Sequence, residues 1–432
     1  MAPPLSQSEC PPSPLLPGPF SDLLTFGRQV LFALGIGLLV GAVGVAFHYG
    51  IGLATRLRQL YPWLICLLPL GGLAIVLLYQ VCGMEKDRGT NLVLAAVREH
   101  EPMRLRTAPL IFLSTILTHL VGGSAGREGA ALQLGASISN KIAHVLGMEA
   151  ERGRVLTVCG MAAAFSALFG TPITAAVFAL EVVHVGVMQY SALVPAVLSS
   201  LTGALLAGWL GVAPTAYTVT GTPAFSLLSL LQMVVLGGLC AGLSVLFCKV
   251  VHGTGHLYAR YLPDLRLRAV VGGLFMLGLS FLDGGLSDQV YNGAGGNLVD
   301  AAVTEGGAGV MPWAFLVKLL FTALTLGAGF RGGEIVPTFA CGATFGCTVA
   351  PLLGLSSSFG GAVGVAATFC GVTNCPLSSV LLAMELFGGD GLPLYALAIA
   401  VAYRLSGYTG LYSEQQIVYA KHIPRQIDKK AE

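Results

Sequence analysis

The sequence predicts an all-α, polytopic membrane protein assembled by duplication from tilted and broken helices. Three observations carry that expectation. Only 10% of the 432 residues are charged and 55% are hydrophobic, whereas a soluble chain carries about 25% charged residues. Too few charges remain to cover a water-facing surface, so lipid is the solvent for most of the chain. Apolar runs recur along the whole length, interrupted by polar, Gly-rich turns. The second part of the chain also repeats the first at a fixed spacing.

The elements follow in order. Residues 1–24 are rich in Pro and Ser and lack a positive stretch that would make a signal peptide; they read as a disordered tail. Residues 25–415 form one transmembrane domain with repeat halves at approximately 25–215 and 225–415. Apolar runs such as 30–47, 156–183 and 227–247 approach or exceed the roughly 20 residues that span a bilayer. Others, such as 108–121 and 315–326, fall short and read as half-helices. The charged stretch Glu85–Arg106 reads as an interfacial loop. Residues 416–432 carry Lys421, Arg425, Lys429 and Lys430, which marks this tail as cytoplasmic by the positive-inside rule. Gly is abundant, 58 residues, and inside membrane helices it permits close packing and breaks.

The repeat is visible in Gly160-Met161-Ala162-Ala163-Ala164-Phe165, which returns as Gly364-Val365-Ala366-Ala367-Thr368-Phe369, an offset of 204. Over residues 160–181 seven of 22 positions are identical, including Pro172 with Pro376 and Glu181 with Glu385. The same offset lays Gly123, Arg127 and Gly129 onto Gly327, Arg331 and Gly333. The repeat does not itself reveal its handedness; membrane duplications of this kind are often inverted, with the site between the halves.

The Gly-rich turns are polar where the chain is otherwise apolar. Bare backbone at membrane depth survives only where it is buried in protein or lines a cavity. A helix that starts there aims unpaired N–H groups and a positive dipole end at the cavity, which makes an anion site. Glu128, in Gly126-Arg127-Glu128-Gly129, is the sharpest single residue. A carboxylate inside a membrane costs about 2.5–3.5 kcal/mol on insertion scales, offset in part at a helix amino end. Ionised, it resembles the anion such a site attracts; protonated, it loses that attraction. The plainer alternative is an N-terminal carboxylate paired with a neighbouring Arg. Arg127 and Arg331 read as residues that hold the turns. Glu181 and Glu385 read as structural, and His119 as a packed histidine.

Four motifs in order resemble the CLC family of chloride channels and proton-coupled exchangers. Gly126-Arg127-Glu128-Gly129 is similar to its Gly-Arg-Glu-Gly-Pro signature, and Gly332-Gly333-Glu334-Ile335-Val336-Pro337 to its second anion-binding turn. Gly89-Thr90-Asn91-Leu92 falls where the family has its first turn, and Tyr412 where it has its central tyrosine. The resemblance implies a CLC-type inverted duplication and a homodimer with one pathway per subunit. It also implies an anion site formed by Thr90, Asn91, Gly126, Arg127, Gly129, Gly333, Ile335, Val336 and Tyr412. Glu128 is then the gate and proton carrier. The chain ends soon after Tyr412, without the cytoplasmic domains of many eukaryotic members, and this suggests a bacterial inner membrane.

Within the family, the phrases Leu117–Gly129, Gly329–Glu334 and Gly410–Tyr412 are similar to the fluoride-exporting antiporter branch. Chloride exchangers carry a second, internal glutamate where this chain has Val182; the fluoride branch instead carries a glutamate matched by Glu334, implicated in moving the proton. Thr90 and Val336 depart from the fluoride branch, which has Asn or Met, and Thr, at those places. The expected function is therefore fluoride export against protons. Chloride or another monovalent anion, moved by a coupled exchanger or a passive channel, is the alternative. Hydrolase signatures are absent, so an enzyme is not expected. The ten cysteines are scattered without metal-binding spacing, so no disulfide framework, metal or cofactor is expected. The net charge of +2 makes no case for nucleic acid; the expected partners are the anion, protons and the lipid bilayer.

Overall fold

A computed structural model describes residues 19–99, 103–282, 284–286, 288–423 and 425–432. Residues 1–18 of the expected tail lie outside the described residues. Residues 19–24 of that tail are helical rather than disordered.

The first half contains α1 (Pro19–Leu60), α2 (Leu68–Val81), α3 (Thr90–Glu99), α4 (Thr107–Leu120), α5 (Glu128–Val145), α6 (Ala150–Phe169), α7 (Pro172–Glu181) and α8 (Leu193–Trp209). The second contains α9 (Leu227–Tyr261), α10 (Leu265–Leu282), α11 (Gly296–Val303), α12 (Ala314–Gly327), α13 (Ile335–Val349), α14 (Ser357–Thr373), α15 (Pro376–Phe387) and α16 (Leu392–Leu405). Among the described residues, seven helical segments are long and apolar enough to cross a membrane, including Leu23–Leu60, Ala150–Phe169 and Leu227–Tyr261. At 1.5 Å per residue the 42 residues of α1 run for about 63 Å, twice the hydrocarbon thickness, which requires tilt or projection beyond the bilayer. The short apolar segments are helices of 10–17 residues, such as Pro172–Glu181 and Thr107–Leu120, as the half-helix reading anticipated. One expectation is corrected. The stretch Glu85–Arg106 is not simply a loop, because it contains α3.

The fold is not purely helical. Three short strands, β1 (His184–Val185), β2 (Gln416–Tyr419) and β3 (Gln426–Lys430), form a sheet in the order β1-β2-β3. β1 runs parallel to β2, and β2 antiparallel to β3. The C-terminal segment is thus a hairpin docked beside the end of α7, rather than a free tail.

Local chemistry sets the helix boundaries. α6 ends at Gly170 and α14 at Asn374, both left-handed (φ 69° and 58°), as glycine and asparagine tolerate best. Pro172 and Pro376 then start the next helices, where the missing N–H is no loss. These paired stops keep the 204-residue register.

The Gly-rich turns keep a different one. α4 and α12 begin at residues 107 and 314, and α5 and α13 at 128 and 335, an offset of 207. Arg127 therefore corresponds to Glu334, not to Arg331. The three-residue difference lies between α5 and α6: Gly135 packs on the Gly160 carbonyl, and Gly342 packs likewise on the Gly364 carbonyl. The two halves are nonetheless related by a local twofold, visible in a reciprocal pair of carboxylate clamps. Glu181 at the end of α7 accepts from the amides of Leu377 (3.1 Å) and Ser378 (2.9 Å) and from the Ser378 hydroxyl (2.5 Å). Glu385, its mate on α15, accepts from the amides of Ile173 (3.0 Å) and Thr174 (2.8 Å). Each half neutralises the amino end of the other half's helix.

Replacing Glu181 or Glu385 by Ala should therefore destabilise the protein by about 1–3 kcal/mol each, the cost of orphaning enclosed donors. Thermal unfolding of the purified protein checks this; an unshifted melting temperature in both variants would remove the clamps from the account.

Candidate functional site

The site is built on a contact between two pieces of bare backbone. The Gly126 amide donates to the Gly333 carbonyl at 2.6 Å, and the Gly333 amide returns a bond to the Gly126 carbonyl at 2.8 Å. Any side chain would part them: a Cβ on Gly333 would sit 2.5 Å from the Gly129 nitrogen, and one on Gly126 would meet the Glu128 carboxylate at 2.5 Å. Immediately after this bridge the chain enters α5 on one side and α13 on the other, so two helix amino ends converge. Behind the bridge, Ser124 bonds Thr322 and Thr325 of α12 (3.0 Å each), which fixes the first turn to the second half.

Glu128 is the first residue of α5, and its side chain has no exposed surface. One carboxylate oxygen accepts from the Arg127 amide at 2.9 Å, the Val336 amide also faces the group, and the Arg127 guanidinium stands 3.5 Å away. The other oxygen has no hydrogen-bond partner among the described residues. Glu334 is the residue immediately before α13, on the opposite turn, and its side chain makes no capping hydrogen bond. Its Oε2 is enclosed and equally unpartnered, and lies 3.3 Å from the position a Cβ would take on Gly129. Thr90, the first residue of α3, reaches the same point from another direction, 3.2 Å from that position. The Tyr412 ring is 2% exposed, and its hydroxyl is buried without a partner. Glu128, Glu334 and Tyr412 thus each bring an enclosed polar atom without a hydrogen bond among the described residues, that of Glu128 facing the Arg127 guanidinium, which is rare in a folded interior.

The remaining expected residues divide. Gly129 and Gly333 allow the backbones to meet; Ile335 and Val336 open α13, buried, with Val336 on the wall of a vestibule. Arg127 holds the turn: it reaches the Leu168 carbonyl (3.2 Å) and the His48 ring (3.1 Å). Asn91 does something other than face an anion. Its side-chain oxygen accepts from the Glu414 amide at 3.1 Å and so ties α3 to the loop bearing Tyr412. His119 is buried on α4 and its Nε2 is without a partner.

A cavity of about 770 Å³ leads to this site; His48, Arg127, Phe169, Tyr217, Val336 and Phe339 are among its walls. None of Thr90, Glu334 or Tyr412 lines it. Arg127 and Val336, the neighbours of Glu128 at the two helix starts, do line it.

A scan against protein-family models matches residues 70–407 to the voltage gated chloride channel family. The chain belongs to that family. It is a multi-pass membrane anion transporter with the CLC fold. A chloride/fluoride channel protein of Pseudomonas syringae pv. tomato is 34% identical over 94% of this chain and 91% of its own length. An H(+)/Cl(-) exchange transporter of Yersinia pestis is 24% identical over 83% of this chain and 80% of its own. A solved CLC-type fluoride/proton antiporter superposes with a TM-score of 0.85 at 33% identity, over 90% of this chain and 98% of that one. A slow cyanobacterial Cl-/H+ antiporter shares the fold, with a TM-score of 0.73 at 18% identity over 88% of this chain and 94% of that one.

Sequence reasoning missed Gln133, one turn into α5, whose amide donates to the Thr90 hydroxyl at 3.2 Å. The signal was available: position 133 falls on the face of α5 one turn after Gly129. It also missed the aromatic run Phe169–Phe339–Phe369–Phe178, with ring centroids 5.4–6.1 Å apart, though Phe165 and Phe369 are matched in the repeat. Finally, the Tyr412 loop is held from several sides. Leu411 bonds the Val372 carbonyl, Gln415 bonds the carbonyls of Val182 and Thr373, and Glu414 pairs with Arg98 (2.9 Å) and Lys430 (2.6 Å).

Two outcomes follow from this geometry. Gly333→Ala should cut anion flux by at least about tenfold, by forcing the bridge apart, while the protein still elutes as a folded species; flux from proteoliposomes reads this out. Lys430 and Arg98 hold the Glu414 carboxyl below its ordinary 4.5, so its pairing stabilises the fold at neutral pH and is lost as pH falls through that lowered value. Glu414→Gln should lower the melting temperature at pH 7, and the difference from wild type should vanish on acidification.

Proposed function

We propose that this protein exports fluoride in exchange for protons, with Glu128 as gate and proton carrier. The observation that carries the reading is the Glu128 carboxylate itself, buried at the convergent amino ends of α5 and α13 with one oxygen bonded to backbone and one open. Helix ends and free amides attract anions, and an ionised carboxylate there takes the place an anion would take. Protonation removes that attraction, so the side chain leaves and the anion enters. Glu334, on the far side of the bridge with its own unpartnered oxygen, handles the proton on the rest of its route. The Thr90, Tyr412 and backbone donors replace water around the anion. No bond of the cargo is made or broken, so this is transport rather than catalysis.

Fluoride is favoured because two similar proteins, 34% and 33% identical to this chain, carry fluoride in their names. Val336 supports a second reading. It sets methyl groups beside the anion path where a hydroxyl would serve the strongly hydrated fluoride ion, which fits chloride better. The basic hairpin near Tyr412 orients that side to the cytoplasm, so the vestibule opens outward. The protein acts as a homodimer in the bacterial inner membrane, each subunit with its own pathway.

Glu128→Gln should abolish proton coupling in proteoliposomes. If the variant still drives proton uptake against an anion gradient, the gate lies elsewhere. Fluoride efflux should exceed chloride efflux in the wild type. Val336→Thr and Thr90→Asn should each raise that ratio severalfold, the scale of one gained hydrogen bond.

A further inference from the structure

The vestibule holds a second concentration of positive charge that the gate does not use. Arg58, in the last turn of α1, lines this cavity and is only 5% exposed. Its Nε and Nη1 are enclosed and have no hydrogen-bond partner among the described residues. Buried guanidinium donors are ordinarily satisfied, most often by a carboxylate, and no described carboxylate forms an ion pair with this one. Gly293, in a left-handed turn (φ 71°), brings its backbone against the group: a Cβ there would lie 3.0 Å from Nη2. The same turn is gripped from behind by a second buried cation. Lys318 of α12, with no exposed surface, donates to the Gly293 carbonyl (2.7 Å), the Tyr291 carbonyl (3.0 Å) and the Ser124 hydroxyl (2.9 Å). All three acceptors are neutral oxygens, and no described carboxylate pairs with this lysine.

Two buried cations therefore share one turn with no carboxylate between them. Arg56 and Arg127 add to the vestibule wall, against Asp288 as the acid among its described residues. Uncompensated buried charge is expensive in a protein interior. A cavity wall lined by one sign of charge concentrates the opposite ion.

We propose that Arg58 forms an outer anion-binding site in the vestibule, where a small monovalent anion is held by the open guanidinium donors in the field of Lys318 before or after passing Glu128. The site is separate from the helix-end site at Glu128. Its place on the transport route rests on the gate reading above; its existence as a binding site does not.

The test uses the full-length protein purified in detergent and titrated calorimetrically with sodium fluoride, then with sodium chloride. Wild type should bind anion at Arg58 as well as at any site Glu128 leaves open. Arg58→Gln should lose one binding component, and Glu128→Gln should keep it. Arg58→Lys retains the charge but not the fork of donors, and should bind several-fold more weakly. It also provides a readout should the Gln variant fail to fold. In proteoliposomes Arg58→Gln should raise the KM for anion by about tenfold, with the proton-to-anion ratio unchanged, whereas general damage would lower kcat from both faces. Unaltered binding in Arg58→Gln, or in Arg58→Lys, would overturn the assignment. If instead Glu128→Gln remains proton-coupled while Arg58→Gln loses a binding component, the gate reading fails and the outer site stands.

Discussion

Everything that makes the site depends on two glycine backbones meeting at Gly126 and Gly333. The pair of hydrogen bonds between them is small in energy, but it fixes where two helices begin. α5 and α13 each leave the bridge within two residues, so their unpaired amides face a common point without any helix crossing it. Only hydrogen atoms can occupy the space between the strands, since a Cβ on either residue collides with backbone or with the Glu128 carboxylate. The duplication supplies the rest. Each half makes one turn, and neither turn alone has a partner for its exposed amide and carbonyl.

The buried glutamates show how the same side chain is put to different use. Glu181 and Glu385 lie at the ends of α7 and α15, and both oxygens of each are bonded to amides of the opposite half. A carboxylate so satisfied has no reason to move. Glu128 and Glu334 each keep an enclosed oxygen unbonded, and sit where the two helix amino ends attract negative charge. The contrast is one of completed against open hydrogen bonding, not of burial, since Glu128 is more deeply buried than Glu181.

The C-terminal hairpin adds a constraint that runs across the molecule. Asn374, the left-handed cap of α14, bonds the Thr409 carbonyl, the Gln415 side chain and Lys421. Glu414 joins the same loop to α3 through Arg98, and to β3 through Lys430. Tyr412 lies between these ties, so its ring is positioned by elements from both halves and by the last residues of the chain. Thr90 belongs to the same mechanical unit, because α3 carries it and Asn91 binds the loop.

By itself the sequence determined the class of solvent, the duplication with its matched Pro172 and Pro376, and the acid at Gly126-Arg127-Glu128-Gly129. These are local or compositional features: charge content, φ preference and the oddity of a carboxylate in an apolar chain. The offset was legible for α6 and α14 but wrong for the turns, because Gly- and Ala-rich segments match in several registers and three extra residues between Gly135 and Gly160 leave no mark. Only the tertiary structure decided which turns face each other, that Gln133 meets Thr90, that Asn91 serves the Tyr412 loop, and that Arg58 and Lys318 share Gly293. Those contacts join residues 25 to 323 positions apart, where no periodicity or spacing along the chain can register them. Proximity of that kind is set by how sixteen helices pack around two touching glycines.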